Sequence, residues 1–277
     1  MKKWVVLSCT PNSVYDFFLP ISVRLWRKLI GYEPVIVLVG EKNDWSSSHA
    51  GVVYNEICGQ ERIEYFPRIT DLPDSTVSMG LRQHVSALDF APDDVLLVGD
   101  VDLFPVDRAF YHRYDPMKNP IGVYYADMYN DRYWPAYGIS MPVRNWREVM
   151  GVKVGDIVGS VEKAFTDGNI RDLIAENKTD PMGANWWTFD EVYATIRVRS
   201  SRFINDIAKF PSSVDGKRPH RVDLPRNPEA SNYIDFHCSR PGWNGANWPG
   251  IRSMLSQMIP GDLDWIDRYV KTYRASL

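Results

Sequence analysis

Cysteine is scarce in this chain. Cys9, Cys58 and Cys238 make an odd count without Cys-x-x-Cys spacing, which excludes a disulfide framework and a thiolate zinc site and fits a reducing compartment. Long apolar runs are lacking as well. The run Trp4, Val5, Val6, Leu7 is too short for a signal-peptide core, and no stretch reaches the length of a membrane span, so the expectation is a soluble, cytoplasmic protein with no transmembrane segment. Excess charge is small: 32 Lys and Arg against 35 Asp and Glu leave −3, which supplies no global pull toward nucleic acid or anionic membrane. No Gly-x-Gly-x-x-Gly follows the first predicted strand, which argues against a dinucleotide oxidoreductase. A Gly-rich, Lys-bearing phosphate loop is also missing near the N-terminus, which argues against a nucleotidyltransferase. Internal repeats and low-complexity tracts are absent, and no composition shift marks a domain boundary.

Aromatic side chains, in contrast, are abundant: ten Trp and fifteen Tyr, many in or beside irregular stretches, as at Tyr124, Tyr125, Tyr129, Tyr133, Trp134 and Tyr137. Most such rings serve packing. Sugar sites use them too, because the apolar face of a pyranose stacks on a ring whose OH or NH reaches a hydroxyl. With 277 residues and 44% hydrophobic content, the chain is long enough for one large α/β domain.

The stretch at 93–106 organises the reading. Val95, Leu96, Leu97 and Val98 form an unbroken apolar run too short for a helix and suited to a buried central strand. Gly99 marks a close backbone approach. Asp100 and Asp102 follow, and in extended chain two side chains spaced by two residues project to the same side, at the strand end where open α/β sheets bind ligands. Two adjacent carboxylates repel unless a cation lies between them, and a divalent ion is the simplest partner. A turn is the plainer explanation of a lone Asp-x-Asp. The whole run, apolar strand, Gly, paired acids and Leu-Phe-Pro, resembles the Asp-x-Asp motif of metal-dependent glycosyltransferases of the GT-A superfamily. The resemblance implies a Rossmann-like mixed sheet flanked by helices in a single α/β domain, a nucleoside-diphosphate sugar donor, UDP above others, and Mn²⁺ or Mg²⁺ held by Asp100 and Asp102.

The remaining chain is consistent with that expectation. A strand over 4–8 ends in a turn-rich Cys-Thr-Pro-Asn-Ser, which places Ser8 and Thr10 where a nucleotide would sit. Val14, Phe17, Phe18, Ile21, Leu25 and Leu29 predict a helix, with Pro20 in its first turn and Gly31 at its end. A second strand spans 34–40, the polar run 41–49 reads as loop, and a short strand falls at 62–66. Val77, Leu81, Val85 and Leu88 mark a helix whose polar face carries Arg82, Gln83 and His84. The resemblance makes Arg82 a nucleotide contact. Beyond a strand at 121–126, Asp127 and the aromatic loop to Tyr137 fall on the acceptor side, together with Trp186 and Trp187 in the loop 180–187.

Thr188-Phe-Asp-Glu191 fits a capping box, in which Glu191 caps a helix and Asp190 favours its positive end. The resemblance offers a second role, since GT-A enzymes place acids here beside the reacting sugar, and Asp190 and Glu191 are the candidate catalytic pair. The segment 195–200 alternates Thr-Ile-Arg-Val-Arg-Ser as a half-exposed strand does, and 210–228 reads as surface loop. A strand at 233–236 then leads to His237 and to Arg240-Pro-Gly-Trp243. Glycogenin-like glycosyltransferases carry a late His-x-x-Gly-x-x-Lys-Pro-Trp element that supplies a third metal ligand and a diphosphate cation. This chain keeps the histidine, a cation, a Pro-Gly pair and a tryptophan in a different order, which casts His237 as metal ligand and Arg240 and Trp243 as donor contacts.

The expected organisation is a nucleotide-binding half over 1–106, an acceptor half and metal-closing segment over 107–250, and packing helices over 251–277. The expected activity is sugar transfer from the donor to an acceptor hydroxyl on a glycan. Two alternatives stand beside it. Arg197, Arg199, Arg202, Lys217, Arg218 and Arg221 could track phosphates if the acceptor were a modified DNA base, a reading the acidic net charge disfavours. The other alternative is a catalytically silent carbohydrate-binding protein.

Overall fold

The computed structural model of the chain describes residues 1–59, 62–69, 72–129, 132–168, 172, 189–220 and 229–277. The apolar run after Lys2 forms β1 (Lys3–Cys9). A short 3-10 turn, α1 (Leu19–Leu25) and a π turn (Trp26–Ile30) return the chain to β2 (Glu33–Val39), which pairs parallel with β1. Pro20 sits in the first turn of α1, where its missing N–H costs nothing, and Gly31 ends the helical stretch at φ 80°. The polar run 41–49, read as loop, holds a 3-10 turn at Lys42–Trp45, and α2 (Ser48–Ile57) begins at its end. β3 (Arg62–Phe66), α3 (Asp74–His84) and β4 (Val95–Gly99) follow.

The main sheet runs β3-β2-β1-β4 and continues through β7 (Ile139–Pro142), β6 (Ile121–Tyr124) and β8 (Ile207–Phe210). Its first four strands are parallel. β6 and β7 then make the sheet mixed, because β7 is antiparallel to both β4 and β6, and β8 is parallel to β6. A small sheet, β5-β10-β9, is built from β5 (Leu103–Pro105), β9 (Arg218–His220) and β10 (Tyr233–His237).

Alternation along the central strands distributes the core to two faces. Val5, Leu7, Val95 and Leu97 point to a layer with Phe17, Phe18 and Trp26, and with Ile266 and Tyr269 near the C-terminus. Val6, Leu96 and Val98 point the other way, to Val77 and Leu81 of α3, Trp146 of α5 (Val143–Met150; α4 is the single turn Arg108–Tyr111), Val161 of α6 (Ile157–Thr166) and Phe189 of α7 (Phe189–Arg199). α8 (Trp248–Met258) and α9 (Leu263–Ala275) are the two packing helices the tail predicts. At Gly99 a Cβ would stand 2.9 Å from Val5 Cγ2, so the close approach expected there is contact with β1. No helix among the described residues is long and apolar enough to cross a membrane.

Two local expectations are corrected. Residues 195–199 are the C-terminal half of α7, not a strand: Phe189, Val192, Tyr193 and Val198 are buried at helical spacing, and this packing overrides the two-residue alternation. Gln83 and His84 do not lie on a solvated face of α3, since both are buried, while Arg82 is partly buried in the cleft described next.

Candidate active site

A cleft of about 290 Å³ opens beyond the carboxyl ends of β1 and β4. The end of β1 contributes Ser8, Cys9 and Thr10; α3 contributes Ser75, Ser78, Met79 and Arg82; the chain leaving β4 contributes Asp100, Val101 and Asp102. His237 enters from the end of β10 and Arg240 from the segment after it, Asp190 and Glu191 from the first turn of α7, and Tyr129, Tyr133 and Tyr137 from the aromatic loop. Nine residues predicted for the site, Ser8, Thr10, Arg82, Asp100, Asp102, Asp190, Glu191, His237 and Arg240, therefore meet in one cleft.

Trp243 and Asp127 do not. Trp243 turns away from the cleft and donates from Nε1 to the Ser13 carbonyl at 2.8 Å, and Gly242 before it packs on Phe18. Asp127 is exposed and accepts from the backbone N–H (2.7 Å) and hydroxyl (3.1 Å) of Ser212. Trp186, Trp187 and the capping residue Thr188 lie outside the described residues.

Asp102 and His237 are brought together by the small sheet. His237 pairs with Leu103 across the antiparallel β5 and β10, and the Cys238 N–H closes the pair on the Asp102 carbonyl at 2.8 Å. His237 Nε2 then stands 3.3 Å from Asp102 Oδ2, and Arg240 Nε 3.4 Å from the same oxygen. Burial alone would push the Asp102 carboxyl up; the charges of His237 and Arg240 outweigh it and hold the group below the usual carboxylate range. Arg240 also donates to the Tyr15 hydroxyl and sits 5.0 Å from that ring's centroid.

Asp100 does not project beside Asp102 as extended chain requires. The backbone turns, with Leu103 N donating to Asp100 O at 3.4 Å, and the Asp100 carboxylate meets Arg82. Among the described residues no three His, Cys, Asp or Glu side chains converge as a complete metal site would. The Asp102–His237 pair nevertheless fits an ion's demands: carboxylate and imidazole suit a first-row divalent metal, and 3.3 Å is the separation of two ligand atoms each about 2.1 Å from a shared ion.

Arg82 is the hub of the opposite cluster. It donates to Asp100 and to Asp190, and from Nη1 to the Gly99 carbonyl at 3.1 Å. Gln83 Nε2 holds the Asp190 carbonyl at 2.6 Å, and Asp190 Oδ1 accepts the Glu191 N–H at 2.9 Å. Burial opposes the Arg82 charge, but Asp100 and Asp190 outweigh it and raise its pKa. Burial raises Asp190 despite Arg82. It raises Glu191 far more, with Asp190 and Asp100 adding repulsion, and Glu191 hydrogen-bonds Tyr129. The two acids thus differ in kind: Asp190 is bound to Arg82, and Glu191 faces the tyrosines.

Sequence reasoning missed Tyr15, Ser78 and the holding role of Gln83. Ser78 had a legible signal, because Ser75, Ser78, Met79 and Arg82 follow the i, i+3, i+4, i+7 spacing of a single helix face. Ser78 Oγ lies 2.7 Å from Ser8 Oγ and so ties α3 to the end of β1.

Four of the six cations proposed to track DNA phosphates make contacts within the protein. Arg197 donates to the Val149 carbonyl at 2.9 Å, Arg199 to that of Arg132 at 3.1 Å, Arg202 pairs with Glu148 at 2.6 Å, and Lys217 with Asp107 at 2.9 Å. Arg218 starts β9, and Arg221 lies outside the described residues.

No known family's sequence profile matches the chain, and no curated protein sequence matches it. Solved structures similar to it in chain trace include the galactosyltransferase LgtC in complex with donor and acceptor sugar analogues, at 12% identity and TM-score 0.49 over 99% of both chains. A second is the glycosyltransferase GlyE of Streptococcus pneumoniae TIGR4, at 11% identity and TM-score 0.48 over 98% of this chain and 64% of that one. A third is the bifunctional glycosyltransferase WbbM in its apo form, at 11% identity and TM-score 0.41 over 97% of this chain and 51% of that one.

Proposed function

We propose that the protein is a metal-dependent glycosyltransferase that moves a sugar from a nucleoside-diphosphate sugar, UDP-linked by the resemblance, to an acceptor hydroxyl on a glycan. The observation that carries this reading is one cleft at the ends of two parallel strands that holds the Asp102–His237 pair, Arg240, and Glu191 among three tyrosines. Asp102 and His237 would hold the divalent ion, Mn²⁺ or Mg²⁺, and Asp100, turned to Arg82, would contact the ribose. The ion's contribution is Lewis-acid neutralisation of the diphosphate.

The chain's own groups do the rest. Ser8 and Thr10 line the nucleotide side, and Arg240 forks onto the diphosphate and offsets the charge that grows as it leaves. Arg82, locked between Asp100 and Asp190, positions both acids. Tyr129, Tyr133 and Tyr137 offer rings to the sugars. In the reaction the bond from the anomeric carbon to the phosphate oxygen breaks, its electron pair leaves with the nucleoside diphosphate, and the acceptor oxygen bonds to that carbon. With inversion Glu191 takes the acceptor's proton; with retention the departing phosphate oxygen does, and the product anomer tells the two apart.

Calorimetric titration of UDP and GDP into the native protein and Asp102→Asn, with and without Mn²⁺, tests the donor site. Metal-dependent binding of UDP that disappears in the variant is the expected result. If the folded native protein binds neither nucleotide, the donor reading falls and glycan binding without transfer takes its place.

A further inference from the structure

The C-terminal helix α9 lines no part of the cleft, yet it grips both segments that form the cleft's donor wall. One segment, 10–18, carries Thr10 and Tyr15. The Tyr273 hydroxyl donates to Asp16 Oδ1 in this segment, with the Ser13 carbonyl a second acceptor at 3.2 Å, and the Tyr269 hydroxyl donates to the Phe17 carbonyl at 2.8 Å. The other segment, 240–243, carries Arg240. Arg274 Nε donates to the Trp243 carbonyl at 2.6 Å. The two segments also lock to each other, through Trp243 Nε1 on the Ser13 carbonyl and through Gly242, which leaves no room for a Cβ against the Phe18 ring.

We propose that α9 is a clasp that positions the donor wall, with Tyr273 as its central positioning residue. The proposal rests on the donor reading above. Thr10 and Tyr15 reach the cleft from a segment of irregular backbone, and such a segment keeps its side chains aimed only if tertiary bonds fix it. Tyr273, itself buried, fixes it at two acceptors, and the Arg240–Tyr15 contact then depends on both segments keeping their places. The clasp acts on donor affinity and leaves the acids of α7 untouched.

The test compares Tyr273→Phe, which keeps the ring and loses the hydroxyl, with Tyr32→Phe. The latter removes an equally buried hydroxyl, one that donates to the Tyr111 carbonyl at 2.8 Å away from the cleft. Amide exchange without nucleotide should speed up over 12–18 and 241–244 in Tyr273→Phe alone, with β1 and β4 unchanged. The UDP Kd with Mn²⁺ should rise roughly three- to tenfold in that variant, the equivalent of one buried hydrogen bond. In turnover the loss should fall on donor KM and spare kcat. Arg274→Ala, at an exposed position, should show the same pattern more weakly and covers the case in which Tyr273→Phe does not fold. Native exchange in both segments, or an equal rise in Tyr32→Phe, overturns the clasp. Absence of UDP binding in native protein overturns the donor reading instead, and the exchange data still decide the clasp.

Discussion

Asp102 Oδ2 and His237 Nε2 stand 3.3 Å apart although 135 positions separate them in the chain. If they bind one ion, they act as a unit. Asp102→Asn and His237→Ala should then each remove the Mn²⁺-dependent part of UDP binding, and the double variant should be no worse than either. The coupling energy from the cycle should be about 1–3 kcal/mol; additive losses would separate the two residues.

Arg82 is buried between Asp100 and Asp190, its side chain 10% exposed. Arg82→Ala would strand two carboxylates without their cation, and we expect a loss of about 3–5 kcal/mol in unfolding free energy, read from urea midpoints. Arg82→Lys keeps the charge but cannot fork to both acids, so it should recover part of the stability and little of the turnover.

Asp190 and Glu191 are neighbours with different tasks. If the product anomer shows inversion, Glu191→Gln should lower kcat by about 10²- to 10⁴-fold while UDP affinity stays within roughly twofold. Asp190→Asn breaks the Arg82 pair and should lower stability together with activity. A stable, inactive Asp190→Asn beside an active Glu191→Gln would exchange the roles.

Asp16 is fully buried, and burial raises its pKa from 3.8 to about 6, despite the Tyr273 hydroxyl and His49 at 3.2 Å. His49 projects from α2, Tyr273 from α9, and Cys9 of β1 lies close enough to feel the same charge. Because the folded value lies above the unfolded one, the native state binds the extra proton between them. Stability therefore falls as pH rises from about 4 to about 6 and does not return above that window. Asp16→Asn should flatten this slope and gain on the order of 2–3 kcal/mol at pH 7, measured by denaturant unfolding across pH 4–8. An unchanged slope would remove Asp16 as its source.

Gly242 leaves no space for a side chain, since a Cβ there would clash with Cε1 and Cζ of Phe18 and stand 3.0 Å from Phe17 Cδ1. Gly242→Ala should cost about 1–3 kcal/mol through overpacking. A native melting temperature would show that the two segments have slack.

The central strands were readable because burial on both faces demands unbroken Val, Ile and Leu, as at 35–39 and 95–98, and such runs need no partner to be recognised. Asp100 and Asp102 were readable because they follow a strand's end, while Arg82, Asp190, Glu191, His237 and Arg240 were singled out only through the resemblance. What was not readable depends on partners remote in sequence. Trp243 looks like a donor contact until Ser13 is found beneath it. Gln83 looks solvated until the Asp190 carbonyl claims it. The alternation at 195–200 mimics a strand because only the packing of Phe189 and Tyr193 against α3 and α6 selects the helix. The bend at 100–103 was hidden for the same reason, since the pull of Arg82 on Asp100 has no local signature.

Three register pairs between β5 and β10, Pro105 with Asp235, Phe104 with Phe236 and Leu103 with His237, splice the end of the central strand to a segment far along the chain. A slip of one residue there would reverse the facing of every side chain in β10 and carry His237 away from Asp102. Between Val106 and Tyr233 lie 126 residues, among them β6, β7 and β8 of the main sheet, the cleft's tyrosines and the α7 acids, so the splice joins the two ends of a segment that is itself built into the sheet. The Asp102–His237 spacing is thereby set by three backbone pairings and not by the path of the chain between them.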